Sequence, residues 1–345
     1  MSLRFSVAGL VLIFGIIAFV PVYLARPYRS ANTQVRADLS QREFQFRYEV
    51  KVKNLHPQAK PAIVWIPIPN SDEHQKISDL RIGSDYPYSI YQEPQYGNTI
   101  LKIEADSNLP DSLLVSVSFT VLRRAMVFPG QPGSPTVPLN TLNRFLSPDR
   151  LVPISGAIEE ETHQVVKQGM SDLEKAKVIY DYVVKTLKYD KSGTGWGRGD
   201  ALHACQTLRG NCTDFHSLFI GMARAGGIPA RFVMGFPVPQ DRSSGEVSSY
   251  HCWAEFYIKG TGWVAVDASE ANQHPESKEF YFGNLDPNRV KFTVGRDIQI
   301  DPAGKIDPLN YFIYPYVLVG GKAYEDVEMR FGFTEQEDRN GFLKF

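Results

Sequence analysis

The sequence predicts an α+β protein in which an antiparallel β-sandwich precedes a unit of helices and a β-hairpin. Three observations predict it. Apolar residues alternate with period two before residue 124, prolines crowd the stretch around residue 140, and helical periodicity with cap signals begins near residue 171. The 345 residues suffice for two units at about 150 residues each. Lys+Arg 37 balance Asp+Glu 38, so no global field recruits nucleic acid. A hydrophobic fraction of 43% excludes a disordered chain. Three cysteines without a C-x-x-C pair exclude a disulfide framework and a structural zinc ribbon. No period of 20–50 residues marks a solenoid or propeller.

Residues 1–30 are expected to be an N-terminal membrane anchor or signal. From Phe5 to Leu24 every residue is apolar or Gly apart from Ser6, Pro21 and Tyr23. Such a run matches the roughly 30 Å hydrocarbon layer. Tyr23 before Ala25 and Arg29 before Ala31 make poor cleavage sites, which favours an uncleaved anchor. Arg26, Arg29 and Arg36 by themselves favour a cytoplasmic globular part. Large domains translocate largely regardless of such charges, and the expected location is extracytoplasmic, on the periplasmic side.

Residues 31–127 read as the sandwich. Residues 44–53, Phe-Gln-Phe-Arg-Tyr-Glu-Val-Lys-Val-Lys, alternate as a half-buried strand does. Stretches at 62–68, 99–104 and 113–121 repeat the signal between Pro, Asn, Asp and Gly. No His–carboxylate or Cys constellation occurs there, so a binding or spacer module is expected. Residues 128–154 hold six prolines, from Pro129 to Pro153, and read as an interdomain linker. Residues 155–300 carry the chemistry. Residues 301–345 read as a β-hairpin extension: an aromatic run at 311–319, a Gly320-Gly321 turn and a return strand at 323–333. This hairpin should extend the catalytic sheet or dock onto the sandwich.

In the catalytic part, Ser171 and Glu174 form a capping box for a helix whose one face holds Ala176, Ile179, Tyr180, Val183 and Leu187. A short helix follows Asp200. Asn211 then caps a third helix, Asp214 suits its first turn, and Gly226-Gly227 end it. Cys212 thereby falls at the first helical position, where free N–H groups favour a thiolate. His251 and Asp267 lie on the two strands of a hairpin around residues 259–262. They share a face only if the loop has an odd count, and a three-residue loop with a left-handed Gly262 is expected. Cys212 as nucleophile, His251 as base and Asp267 as its orienting group is the arrangement that acyl chemistry needs.

Gly-Asn-Cys-Thr-Asp-Phe at 210–215 resembles the nucleophile motif of the transglutaminase-like superfamily, a branch of the papain-like cysteine enzymes. His-Cys-Trp-Ala-Glu at 251–255 resembles its H-x-W-x-E strand, and Gly-Trp-Val-Ala-Val-Asp at 262–267 its G-W-x-x-x-D strand. The resemblance spans about a hundred residues, from Leu173 to Ala271, and points to a bacterial-type, membrane-anchored member. It implies a papain-like transglutaminase core, a helix bundle packed on an antiparallel sheet, with Cys212, His251 and Asp267 as its triad. It also implies an enzyme that acts on amide bonds of protein or peptide substrates through a Cys thioester, by transfer to an amine or by hydrolysis. The alternative is a catalytically silent papain-like binding module of the cell envelope. No EF-hand-like acidic loop accompanies these motifs, and neither cofactor nor metal is expected.

Gln206, six residues before the nucleophile, resembles in its spacing the oxyanion glutamine of papain-like peptidases, and Trp196 is a looser candidate. Cys205 and Cys252 are expected to be inert, Cys252 because a strand neighbour of His251 points to the other face; a Cys205–Cys212 disulfide stays open as an alternative. A zinc reading of Cys212, His216 and His251 lacks a fourth ligand. His216 reads as a core-edge histidine, and His163 and His203 as surface or capping residues. Glu159, Glu160 and Glu161 read as a solvated helix start. Trp253 and Trp263 should pack the hairpin.

Overall fold

The computed structural model describes residues 41–336 except 57, 59, 107, 108 and 129–138. The expected membrane segment and the first half of the expected linker lie outside the described residues. Among the described residues no helix is long and apolar enough to cross a membrane.

The alternating stretches form β1 (Gln41–Val52), β2 (Ala62–Ile68), β3 (Gln75–Ser84), β4 (Tyr88–Gln92), β5 (Thr99–Ala105) and β6 (Leu113–Arg124). In β1 the side chains of Phe44, Phe46, Tyr48, Val50 and Val52 are buried while those between them are not, as its sequence period requires. The chain continues through α1 (Leu139–Leu142), a 3-10 turn (Asn143–Phe145), α2 (Ala157–Val165), α3 (Asp172–Thr186), β7 (Lys188–Tyr189), α4 (Ala201–Thr207), β8 (Arg209–Gly210) and α5 (Cys212–Ala225). There follow β9 (Ala230–Pro237), β10 (Ser244–Glu246), β11 (His251–Ile258), β12 (Gly262–Val266), α6 (Ala268–Gln273) and β13 (Arg289–Val294). The last strands are β14 (Tyr316–Val319), β15 (Lys322–Ala323) and β16 (Val327–Glu335).

The sandwich sheets run β10-β16-β1-β6-β3 and β15-β14-β2-β5-β4, and the sheet that carries His251 runs β12-β11-β9-β13. Residues beyond 301 therefore complete the sandwich. Gly320 and Gly321, at φ +58° and +78°, turn β14 into β15 as a two-residue hairpin loop. The expected return strand is only two residues long there. The chain then crosses to the other sheet, where β16 pairs with β1 from Phe44↔Glu335 to Val52↔Val327. Pairing with β1 buries Phe331 and Phe333, which a longer return strand beside β14 would not do.

The sandwich and the sheet that carries His251 share one apolar core. Phe46 of β1 lies 5.5 Å from Phe236 of β9 and 5.7 Å from Phe292 of β13, ring centre to ring centre. The described part of the expected linker is strapped onto this unit. Arg224 of α5 donates to Asp149 Oδ2 at 2.6 Å and to the Ser147 carbonyl at 2.7 Å. Arg150 donates to Asp297 at 2.7 Å, and Leu142 and Val152 are buried.

Candidate active site

α5 is buried at thirteen of its fourteen positions, so its polar residues need partners inside the protein. Asn211 caps it: Asn211 Oδ1 accepts the Thr213 N–H at 3.0 Å, and Asp214 Oδ2 accepts the Asn211 N–H at 2.9 Å. Asp214 also accepts the N–H groups of Gly197 (2.7 Å) and Gly199 (3.0 Å), which ties the glycine-rich loop at 191–199 to the helix start. Gly210 is needed for this arrangement, because a Cβ there would stand 2.3 Å from Asp214 Oδ2. Cys212, at the first helical position, is 3% exposed.

The hairpin has the expected odd loop. Ile258 pairs with Gly262 across residues 259–261, and Gly260 and Gly262 have φ of +85° and +95°. Asp267 thus falls opposite Trp253, two positions from His251 on the same face, and His251 Nε2 meets Asp267 Oδ2 at 2.7 Å. Gly235, paired with His251, lies so close to β13 that a Cβ would stand 2.1 Å from the Val290 carbonyl oxygen.

Asp267 is the N-cap of α6. Its Oδ1 accepts the Glu270 N–H at 3.1 Å and the Ser269 hydroxyl at 3.0 Å. Its Oδ2 accepts His251 Nε2–H and also Arg289 Nη1–H, at 3.1 Å. Four donors fill the acceptor sites of a carboxylate. Burial opposes its charge, but the His251 charge and hydrogen bond hold Asp267 well below the usual carboxylate range. Burial likewise opposes the His251 imidazolium, yet Asp267 and then Cys212 push its pKa up to about 10. The Cys212 thiol is held well below its ordinary value, first by a hydrogen bond with Cys252, against burial, and then by His251. With His251 Nε2 bonded to Asp267, Nδ1 is the ring nitrogen that Asp267 does not engage.

Sequence reasoning missed three residues here. Arg289, which bridges Asp267 and Asp286 (2.9 Å), comes from β13 with no local signal. Cys252 does point to the opposite strand face from His251, but that is the face on which α5 lies. Its Sγ sits 3.5 Å from His216 Nδ1; burial pushes the Cys252 thiol well up, the direction of an unreactive cysteine, while its hydrogen bond helps hold Cys212 down. His216 is fully buried and accepts the Ala268 N–H at Nε2. All three cysteines are free, so the Cys205–Cys212 disulfide is not formed. Among the described residues no group of three or more His, Cys, Asp or Glu is arranged around a metal. Gln206 is exposed on α4, and no hydrogen bond joins it to Cys212, His251 or Asp267. Trp196 is half-buried beside a cavity of about 350 Å³ that His203, Thr207 and Arg209 also line. Trp253 is buried in an apolar cluster, and Trp263 stacks under the Arg231 guanidinium at 4.0 Å. His163 is exposed, and Glu159 and Glu160 occupy the exposed first turn of α2.

This fold and this juxtaposition define a papain-like α+β core with a β-rich N-terminal part. Residues 160–268 match the family profile of the transglutaminase-like superfamily, a range that contains Cys212, His251 and Asp267. The similarity to the transglutaminase-like superfamily rests on this stretch of the chain. An uncharacterized protein of Haemophilus influenzae is 27% identical, covering 79% of this chain and 86% of that protein. YebA of Bacillus subtilis is 21% identical over 57% of this chain and 31% of its own length. The solved structure of a proposed cysteine protease from Cytophaga hutchinsonii is similar in fold, with a TM-score of 0.56 and 18% identity, covering 86% of this chain and 98% of that one.

Proposed function

We propose that this chain is a thiol enzyme acting on amide bonds of protein or peptide substrates. The observation that carries the reading is the His251–Asp267 bond of 2.7 Å on a hairpin against which α5 packs, the helix that Cys212 starts. In the proposed cycle the Cys212 thiolate attacks the amide carbon, and the C–N bond breaks as His251 gives its proton to the leaving amine. His251, now neutral, takes a proton from an incoming amine or water, which releases the acyl group from the thioester. The N–H groups of Thr213, Asp214 and Phe215 are engaged at the helix start, whereas no bond is found for that of Cys212, which makes it the first oxyanion donor in this scheme. Gln206 would have to swing in as the second. The N-terminal apolar run supports tethering to a membrane with the enzyme on the extracytoplasmic side.

The test is alkylation of Cys212 by iodoacetamide near neutral pH, read from the Cys212 peptide by mass. Cys212 should label fast, and His251→Ala should slow it by on the order of a hundredfold, since proton transfer by a positioned base contributes about that much or more. Equal labelling in both proteins overturns the triad. Trapping a thioester from glutamine-containing or cell-wall peptides, then offering amine or water, distinguishes transfer from hydrolysis. A protein that labels fast but never forms a thioester would be the silent binding module.

A further inference from the structure

We infer that Cys252 is a positioning residue for the nucleophile: fixed by His216, its S–H donates a second hydrogen bond to the Cys212 sulfur from the α5 face of β11. The inference rests on the reading that Cys212 is the nucleophile. Cys212 and His216 are one helical turn apart on α5, which packs on β11, where Cys252 follows His251 and meets His216. The Ala268 N–H points at His216 Nε2 at 3.1 Å. A backbone N–H can only donate, so Nε2 is the bare nitrogen. Its 3.5 Å approach to Asp267 Oδ1 is therefore no hydrogen bond. The ring proton is then on Nδ1, 3.5 Å from Cys252 Sγ, and donates to that sulfur. With its sulfur accepting from His216, Cys252 has its own S–H left to give, and Cys212 is the neighbour that receives it.

The proton order runs one way: Ala268 amide to His216, His216 to Cys252, Cys252 to Cys212. A donor to the charged form of a buried sulfur favours that form. The electrostatics agree: burial and then Cys212 push the Cys252 thiol up, while Cys212 goes down. The other groups facing Cys212 are His251 on β11, Asp214 on α5 and the tyrosines 189, 250, 311 and 314. Burial raises the pKa of each tyrosine, so none supplies charge at neutral pH. Arg289 reaches Asp267 from the far side.

The experiment is the pH dependence of Cys212 alkylation in the full chain, with the melting temperature recorded alongside. In Cys252→Ala the acid midpoint should rise, and the rate at a fixed pH on the acid limb should fall about tenfold, the loss of one hydrogen bond to an ionised group. Cys252→Ser, which keeps a donor and folds without a cavity, should recover most of that rate. His216→Phe should shift the midpoint in the same direction by less. A midpoint that Cys252→Ala leaves in place while His251→Ala moves it overturns this inference and spares the triad. A midpoint moved by neither overturns both. Equal losses in Cys252→Ala and Cys252→Ser reduce the residue to packing and also overturn the inference.

Discussion

Along β1 and β6 the buried side chains are Phe44, Phe46, Tyr48, Val50 and Val52 facing Leu113, Val115, Val117, Phe119 and Val121. Along α5 they include Thr213, Asp214, His216, Ser217 and Arg224. The first surface is stabilised mainly by area; its polar exceptions are the Tyr48 hydroxyl, which donates to the Ile313 carbonyl at 3.0 Å, and Thr120 and Arg123 of β6, also buried. The second would be unstable without its partners, because each buried polar group costs free energy unless bonded. It has those partners: three amides on Asp214, two bonds on His216, the Arg296 guanidinium on Ser217 at 2.6 Å, and three acceptors around Arg224. What the contrast teaches is that the sandwich stabilises a scaffold, while the α5 layer trades stability for a single geometry around Cys212.

The comparison is broken most directly by removing one group from each surface. Phe119→Ala and Arg224→Met should each cost about 3–5 kcal/mol in urea unfolding, the first through a cavity and the second by leaving buried Asp149 with Arg144 alone and the Ser147 and Ala230 carbonyls without their donor. Their effect on Cys212 should differ. Native Phe119→Ala protein should alkylate at the wild-type rate, whereas Arg224→Met frees the 144–150 strap and loosens α5, slowing the reaction. Equal alkylation rates in the two variants would mean that the polar layer holds no particular geometry.

A second, smaller effect sharpens the comparison on the alkaline side. His251 has an ordinary pKa of 6.5 and is pushed up to about 10 in the fold. A group raised on folding adds stability that is whole below 6.5 and is lost as pH rises through about 10. Asp267 runs the other way: its contribution is present above 3.8 and is lost as pH falls through its depressed folded value. Above about pH 10 the leaving amine loses its proton donor, so amide turnover should fall about tenfold, or 1.4 kcal/mol, per further pH unit. Alkylation needs the thiolate and no proton donor, and should not fall with it. Parallel profiles for the two reactions would refute His251 as the acid.

How much of this was legible follows from where each constraint sits in the chain. The capping box at Asn211 and Asp214 and the three-residue hairpin loop are local, and a few residues dictate them. The offset of His251 and Asp267 follows from strand parity once Gly262 ends the loop. The sandwich was legible, but not which later strands complete its two sheets, because Phe44 meets Glu335 and periodicity names no partner. Arg289, His216 and the role of Cys252 were hidden for the same reason. Parity correctly put Cys252 on the face away from His251, but only packing shows that α5 lies on that side.

The smallest effect belongs to a charge on the sandwich. Arg330 of β16 stands opposite Glu49 of β1 and donates to Glu328 at 2.9 Å, with 68% of its side chain exposed. Water and salt screen that pair, and the long side chain loses freedom to make it, so Arg330→Gln should change stability by less than about 0.5 kcal/mol. The Cys212 alkylation rate should stay at the wild-type value. The same chemical change, loss of one guanidinium charge, is then an order of magnitude apart at Arg330 and Arg224. The two differ in the Ser147 and Ala230 carbonyls that also lose a donor at Arg224, and in whether the carboxylate left behind can turn to water. Asp149 cannot, since its side chain is 1% exposed, and Glu328 can. A loss at Arg330 as large as at Arg224 would show that charge pairing, not burial, governs both surfaces, and the distinction between scaffold and site would fail with it.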